Sequence, residues 1–448
     1  MIVVSSAETE PKIVNFVPKR TSSDPMANLL IEDTKRFVPP FPEKLEDLDI
    51  PVGFLNDLAL KAMSMDSDAT TSSIAEQLRL GMVVTDLLLQ RLSRDKFIEV
   101  KGVIGLHHQR YAMLDRGWSE VGRIMAISSY VGPAPVSLKS YTTMISKQVH
   151  GRMPTTRHAL ERAMADIVLT ESAKQTLGLV ASSGRSLFLS GPSGNGKTAM
   201  ARSLVDAIEG DMWIPYALEV DGQVIRTFDP HNHQPVKIEG DDYDRRWIKI
   251  RPPLIVVGGE LTIDSMDLNY TGTQRFYEAP FHLKSNGGVL LVDDLGRQRC
   301  SATELLNRWI IPLENHVDYL TLSTGKKIQV PFEQVVIFAT NLTVSDIADE
   351  AFLRRMGYRM YVMPPGPDTY AEIFSRHARS RGLSVDPGIL AHLERRYGGE
   401  RRTPKACEPR DLIDRAIEVC KYRREPIRLT KAVLDLAWDG YFGAAASG

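Results

Sequence analysis

The sequence predicts an α/β chain in which a parallel sheet flanked by helices lies between a small N-terminal helical unit and a C-terminal all-helical unit. Three observations carry this. Between residues 157 and 362, short apolar runs such as "SLFLS", "GGVLLV" and "QVVIFAT" alternate with helical patterns, the mark of a parallel sheet with crossover helices. Before them, several helical stretches precede two strand-like pieces. After "MPPGPD", apolar residues recur only at helical spacing.

In order along the chain, residues 1–48 are rich in Pro, Ser, Lys and Glu without a sustained period and read as an arm, extended or disordered until it docks. Residues 49–132 hold "PVGFLNDLALKAM", then "TTSSIAEQLRL" with N-cap candidates at its start, then "MVVTDLLLQRLSRDKF". In the last of these Val84, Leu87, Leu88 and Leu92 share one helical face. "FIEV" and "RYAML" follow as strands around a glycine-bearing turn, and a further helix starts near Asp115. That order resembles a winged-helix domain. Residues 133–156 read as a linker leading into a bridging helix, 157–363 as the α/β core and 364–448 as a helical lid.

Composition excludes several classes. The 448 residues carry 55 Lys plus Arg against 56 Asp plus Glu, so no net field favours nucleic acid or membrane. The 3 cysteines, Cys300, Cys407 and Cys420, are too scattered for a disulfide framework or a zinc knuckle and fit a reducing compartment. The N-terminus lacks a basic region and a long apolar run, and no stretch approaches the roughly 20 apolar residues a bilayer requires. The expectation is a soluble, cytoplasmic protein without membrane insertion.

Chemistry concentrates first in "GPSGNGKT": Gly191, Pro192, Ser193, Gly194, Asn195, Gly196, Lys197 and Thr198. The apolar run Ser186 to Ser190 precedes it, and a helical pattern with Ala199, Leu204 and Ile208 follows. Strand, GxxxxGK[ST], then helix is the context of a phosphate-binding loop. Its glycines let backbone N–H groups turn toward phosphate oxygens, and the helix N-terminus adds partial positive charge. Lys197 is placed to reach the β- and γ-phosphates, and Thr198 to help hold Mg²⁺.

A second apolar run, Val289 to Val292, ends in Asp293 and Asp294. A magnesium ion beside phosphates needs hard oxygen ligands, so Asp293 is assigned to the metal and Asp294 to the attacking water. A third run ends in Asn341, suited to orient that water. "DEAFLRRMGYR" supplies Arg354, Arg355 and Arg359, and "CEPRDLIDRA" in the lid supplies Arg410.

This succession resembles the AAA+ ATPase family over roughly residues 157–440. The resemblance implies a P-loop AAA+ core with a helical lid, binding ATP with Mg²⁺. By that likeness Asn341 is sensor 1 and Arg410 is sensor 2. Arg355 is then the arginine finger, with Arg359 as second candidate. A finger acts on a neighbouring subunit's nucleotide, which implies a homo-oligomeric ring, usually a hexamer. The family usually carries Asp-Glu where this chain has Asp293-Asp294, which leaves the turnover rate open.

"DYLTLSTGKKIQVPFEQ" reads as a hairpin turning at "STGKK" and resembles the pre-sensor-1 hairpin of the clade containing MoxR-type chaperones, magnesium chelatase and MCM helicases. Residues 216–236 read as a further hairpin with "DPHNH" at its tip, where His231 and His233 lie in an exposed polar turn rather than a metal site. Arg297, Arg299 and Arg308 stand as intersubunit or nucleotide-sensing candidates, or as a solvated basic face. The third N-terminal helix opens "GMVVTD", without the polar side chains that read base edges. A protein-docking role is therefore favoured over DNA. The expected function is ATP-driven remodelling of a protein client. A DNA-binding regulator or loader, and a scaffold that binds ATP without appreciable turnover, remain as alternatives.

Overall fold

The computed structural model describes residues 31–33, 36–105, 108–238, 240, 242–270, 272–343 and 350–443. Its centre is a five-stranded sheet. We number its strands β1 (Leu187–Ser190), β2 (Leu254–Val257), β3 (Val289–Val292), β4 (Val335–Thr340) and β5 (Tyr358–Tyr361). They lie in the order β2-β3-β4-β1-β5, every neighbouring pair parallel.

Strand periodicity decides how this sheet is covered, because successive side chains point to opposite faces. Leu187, Leu189, Val289, Leu291, Val335, Ile337 and Ala339 join one core, which they share with Leu177, Val180, Ala201 and Leu204 of the helices Glu171–Ser183 and Lys197–Ala207. The alternate residues Phe188, Leu290, Val292, Val336 and Phe338 join another, packed with Leu305, Leu306 and Trp309 of helix Ala302–Asn315. Both faces of β1, β3 and β4 are therefore dry, which explains why these strands read as continuous apolar runs.

The chain is not a uniform βα alternation from 157 to 362. Between the helix Lys197–Ala207 and β2 it makes an excursion. Strand Met212–Pro215 pairs antiparallel with Trp247–Ile250, and Ala217–Val220 with Gln223–Arg226. These strands, together with Leu320 and Val330 of the hairpin Val317–Thr321/Lys327–Pro331, build a separate core. The expected linker belongs to it as well: Val136–Ser137 pairs with Leu218 and Glu219, and helix Leu138–His150 buries Tyr141, Met144 and Ile145. That segment is a packed element and not a spacer.

The hairpin expected over residues 216–236 turns at Asp221 and Gly222, where φ is 50° and 78°. The "DPHNH" stretch lies beyond it in a separate turn. His233 is only 2 % exposed there, its Nδ1 accepting from the Asp229 N–H at 2.9 Å. The exposed turn expected at this point is corrected for His233, because two hydrogen-bonded ring nitrogens make its burial tolerable.

In the N-terminal unit, helices Val52–Met65, Thr71–Leu78, Met82–Arg94 and Asp115–Ile127 surround one core with the ribbon Ile98–Gly105/His108–Met113. Leu45 and Leu48 belong to this core, so the chain is docked before residue 49; residues 1–30 of the expected arm lie outside the described residues. Val84, Leu88 and Leu92 are buried as expected, whereas Leu87 is 40 % exposed. It points away from the core beside Val83 at helical spacing. At the other end of the chain, helices Pro367–Ser380, Pro387–Gly399, Glu408–Arg423 and Lys431–Phe442 enclose a core of their own around Phe374, Leu412 and Trp438. Among the described residues no helix is long and apolar enough to cross a membrane.

Candidate active site

Parallel strands put their carboxyl ends at one edge of the sheet, and the chemistry gathers there. Gly191 follows β1, Asp293 and Asp294 follow β3, and Asn341 follows β4. Ser190 stands beside Thr340 in the register, so the loop and Asn341 leave the sheet side by side. The loop after β3 is pinned between its neighbours: Asp293 N–H donates to Val257 O, and Leu295 N–H to Ala339 O, both at 2.8 Å.

Glycine is needed at the loop's entry. Gly191 has φ of 134°, and a Cβ there would lie 2.4 Å from Val362 O. Gly196 has φ of 86° and caps the helix that starts at Lys197. The Lys197 ammonium donates to Gly191 O at 2.7 Å and Pro192 O at 3.0 Å, and also to Asn341 Oδ1. Burial pulls its pKa below the ordinary range, with the charges of Asp294 and Asp293 opposing. A cation held mainly by neutral oxygens in a half-dry site favours an anion nearby.

Asn341 uses both ends of its amide. Its oxygen takes Lys197, and its Nδ2 donates to Asp294 Oδ1 at 2.7 Å. Asp294 itself has φ of 48°, a left-handed conformation that Asp tolerates better than most side chains. This turn carries the short carboxylate to Asn341. Beside it, Thr198 Oγ1 donates to Asp293 Oδ2 at 2.8 Å. A hydroxyl and a carboxylate in contact at the edge of a phosphate loop are the hard oxygen donors that suit a magnesium ion. No cluster of three or more His, Cys, Asp or Glu side chains suited to a metal occurs among the described residues.

Lys197, Thr198, Asp293, Asp294 and Asn341 are thus brought together. Arg355 is not. It follows helix Glu350–Leu353 and precedes β5, whose residues run parallel to β1 from Tyr358 beside Leu187 to Tyr361 beside Ser190. Arg355 therefore sits at the opposite end of the sheet from Gly191, with strands about 13 Å long between them. There it pairs with Glu314 at 3.1 Å and borders a cavity of about 280 Å³ with Arg185, Gln334 and Arg354. Arg359 donates to Leu353 O at 2.6 Å.

Arg410 projects from the lid, its guanidinium bound to the Asp411 carboxylate at 2.9 Å. The lid residues that reach the phosphate loop lie just before it. Cys407 N–H donates to Gly194 O at 2.9 Å, and Ala406 N–H to Asn195 Oδ1 at 3.3 Å. Sequence reasoning missed this contact, because nothing local marks Ala406 or Cys407.

Arg308 is also reassigned. Its guanidinium grips Asp318 at 2.6 and 2.9 Å, and His282 Nε2 lies 2.9 Å from the same carboxylate. It therefore ties the helix after β3 to the hairpin and is not a free basic face.

The comparisons with known proteins cover only parts of the chain. A family model described as "Domain of unknown function (DUF8689)" matches residues 366–440, within the C-terminal group of helices. No curated protein matches the chain. Among solved structures, the Thermotoga maritima RuvB Holliday junction branch migration motor is similar at 15 % identity and a TM-score of 0.37, over 61 % of this chain and 70 % of that one. NtrX from Brucella abortus in complex with ATP is similar at 14 % identity and a TM-score of 0.38, over 61 % of this chain and 56 % of that one.

Proposed function

We propose that the chain is an ATPase of the AAA+ type. It binds ATP with Mg²⁺, hydrolyses it in an oligomeric ring and uses the cycle to remodel a protein partner, as MoxR-like chaperones do. The observation that carries this reading is the Asn341 amide joined at once to Lys197 and Asp294, beside the Thr198–Asp293 pair. Residues from two strand ends and one helix start meet where this reading puts the γ-phosphate.

The roles follow from charge and reach. Backbone N–H groups of residues 193–198 hold the phosphates, and Lys197 exchanges its neutral carbonyl partners for phosphate oxygens. Thr198 and Asp293 would hold Mg²⁺, which supplies charge neutralisation on the phosphates. Asp294 and Asn341 orient a water. Its oxygen attacks the γ-phosphorus, its proton passes toward Asp294, and the bond to the bridging oxygen breaks to give ADP and phosphate. Arg355, standing at the far end of its own sheet, acts on the site of the next subunit in the ring.

A protein client is supported by the surface of the N-terminal unit. On helix Met82–Arg94, Met82, Val83 and Leu87 are 36, 53 and 40 % exposed, and the ribbon adds exposed Val100, Val103 and Ile104. Apolar side chains at the N-terminal end of that helix suit a protein surface and offer no donor to a base edge. The test is ATP turnover by the purified chain. Activity that requires Mg²⁺, is abolished in Lys197→Ala and rises with protein concentration supports the reading. A chain that neither binds nor hydrolyses ATP ends it.

A further inference from the structure

The contact between lid and phosphate loop is narrow and closely fitted. Besides the two hydrogen bonds from Cys407 and Ala406, a Cβ added to Gly194 would lie 2.7 Å from Cys407 Sγ and 3.4 Å from Lys405 Cδ. No side chain fits between the segments. The lid half of the contact is anchored from within. Glu408, 3 % exposed, accepts the Lys405 N–H at 2.8 Å and the Tyr397 hydroxyl at 2.6 Å. Tyr397 in turn meets the Tyr370 hydroxyl at 3.1 Å. A rigid path therefore runs from the lid core to the loop.

Asn195 closes that path. It is 4 % exposed, and its Nδ2 has no hydrogen-bond partner among the described residues. Burying an amide with an unmet donor is unfavourable, and an apolar side chain would avoid that cost. What the amide provides is its oxygen, the acceptor for Ala406 N–H. Arg410 lies three positions beyond Cys407, about 4.5 Å along a helix axis. Whatever fixes residues 405–407 also fixes where that guanidinium stands.

We infer that Asn195 is a positioning residue whose amide oxygen latches the lid to the phosphate loop and so sets the place of Arg410 over bound phosphates. The consequence for turnover rests on the ATPase reading; the latch itself is read without nucleotide. Asn195→Leu keeps the bulk and removes the acceptor, whereas Asn195→Asp keeps the acceptor. Cys407 is the reporter. Burial, with the charges of Asp411 and Glu408, pushes its thiol pKa up, and its sulfur faces Gly194.

In the full chain without nucleotide, alkylation of Cys407 by iodoacetamide, followed by peptide mapping, should run about fivefold faster in Asn195→Leu. In Asn195→Asp it should stay within about twofold of the unsubstituted chain. With ATP and Mg²⁺, Asn195→Leu should keep KM within about threefold while kcat falls about tenfold. An unchanged Cys407 rate in Asn195→Leu overturns the latch, whatever happens to hydrolysis. A Cys407 rate that rises equally in Asn195→Asp overturns it too, because the acceptor would then be irrelevant. If the unsubstituted chain hydrolyses no ATP, the ATPase reading falls, and the alkylation comparison still decides the latch.

Discussion

Asn341 donates its side-chain amide to Asp294 at 2.7 Å while its oxygen accepts from Lys197. One amide therefore orders a carboxylate just after a strand and an ammonium at the start of a helix.

Removing that amide should slow chemistry more than binding. Asn341→Ala is expected to lower kcat by about a hundredfold, the usual scale for loss of one preorganised donor. ATP affinity should change by less than about threefold, since the loop amides remain. Steady-state kinetics and calorimetry check both; a kcat within twofold of the unsubstituted chain would remove Asn341 from the site.

Arg355 should act between subunits. Its place at the far end of the sheet predicts that Arg355→Ala binds ATP but does not turn it over. Mixing it with Lys197→Ala subunits should restore activity that neither has alone, because some sites then join an intact loop to an intact arginine. If the mixture stays inactive although mixed oligomers form, the proposed sharing of sites is wrong.

Lys61 makes stability depend on alkaline pH. It is 4 % exposed and donates to Ser128 O at 3.2 Å. Burial lowers its pKa from 10.5 to about 8, against the opposing charge of Asp57. Between those values the unfolded chain holds a proton that the folded chain has released, so stability rises with pH across that window. Lys61→Met should flatten the rise and add about 3 kcal/mol at pH 7. Denaturant titrations from pH 7 to 10.5 measure it; an equal slope in both proteins contradicts the assignment.

The Asp318 carboxylate should matter on the acid side. Burial opposes its ionisation, but the His282 imidazole beside it and the Arg308 guanidinium bonded to it outweigh this and hold its pKa below the ordinary carboxylate value. Its contribution is therefore present above the unfolded value and lost as pH falls through the lower folded one. Arg308→Leu should cost about 3 kcal/mol at neutral pH by stranding a buried charge. Chemical denaturation decides; a loss under half a kcal/mol would mean the pair is replaceable by solvent.

By itself the sequence determined what short-range physics can write. The glycine-rich loop between a strand and a helix was legible because three glycines, a lysine and a threonine stand together there. Asp293, Asp294 and Asn341 were legible because they follow two strands buried on both faces, where an apolar run gives way to polar side chains. Tertiary structure alone decided what meets across the chain. Asn195 reaches Ala406 over a separation of 211 residues, Arg355 turns to Glu314, Arg308 is taken up by Asp318, and buried His233 meets the distant Lys284 carbonyl. No periodicity encodes such partners, because a hydrogen bond between distant segments depends on where the packed sheet and lid bring their ends and leaves no repeat in the intervening chain.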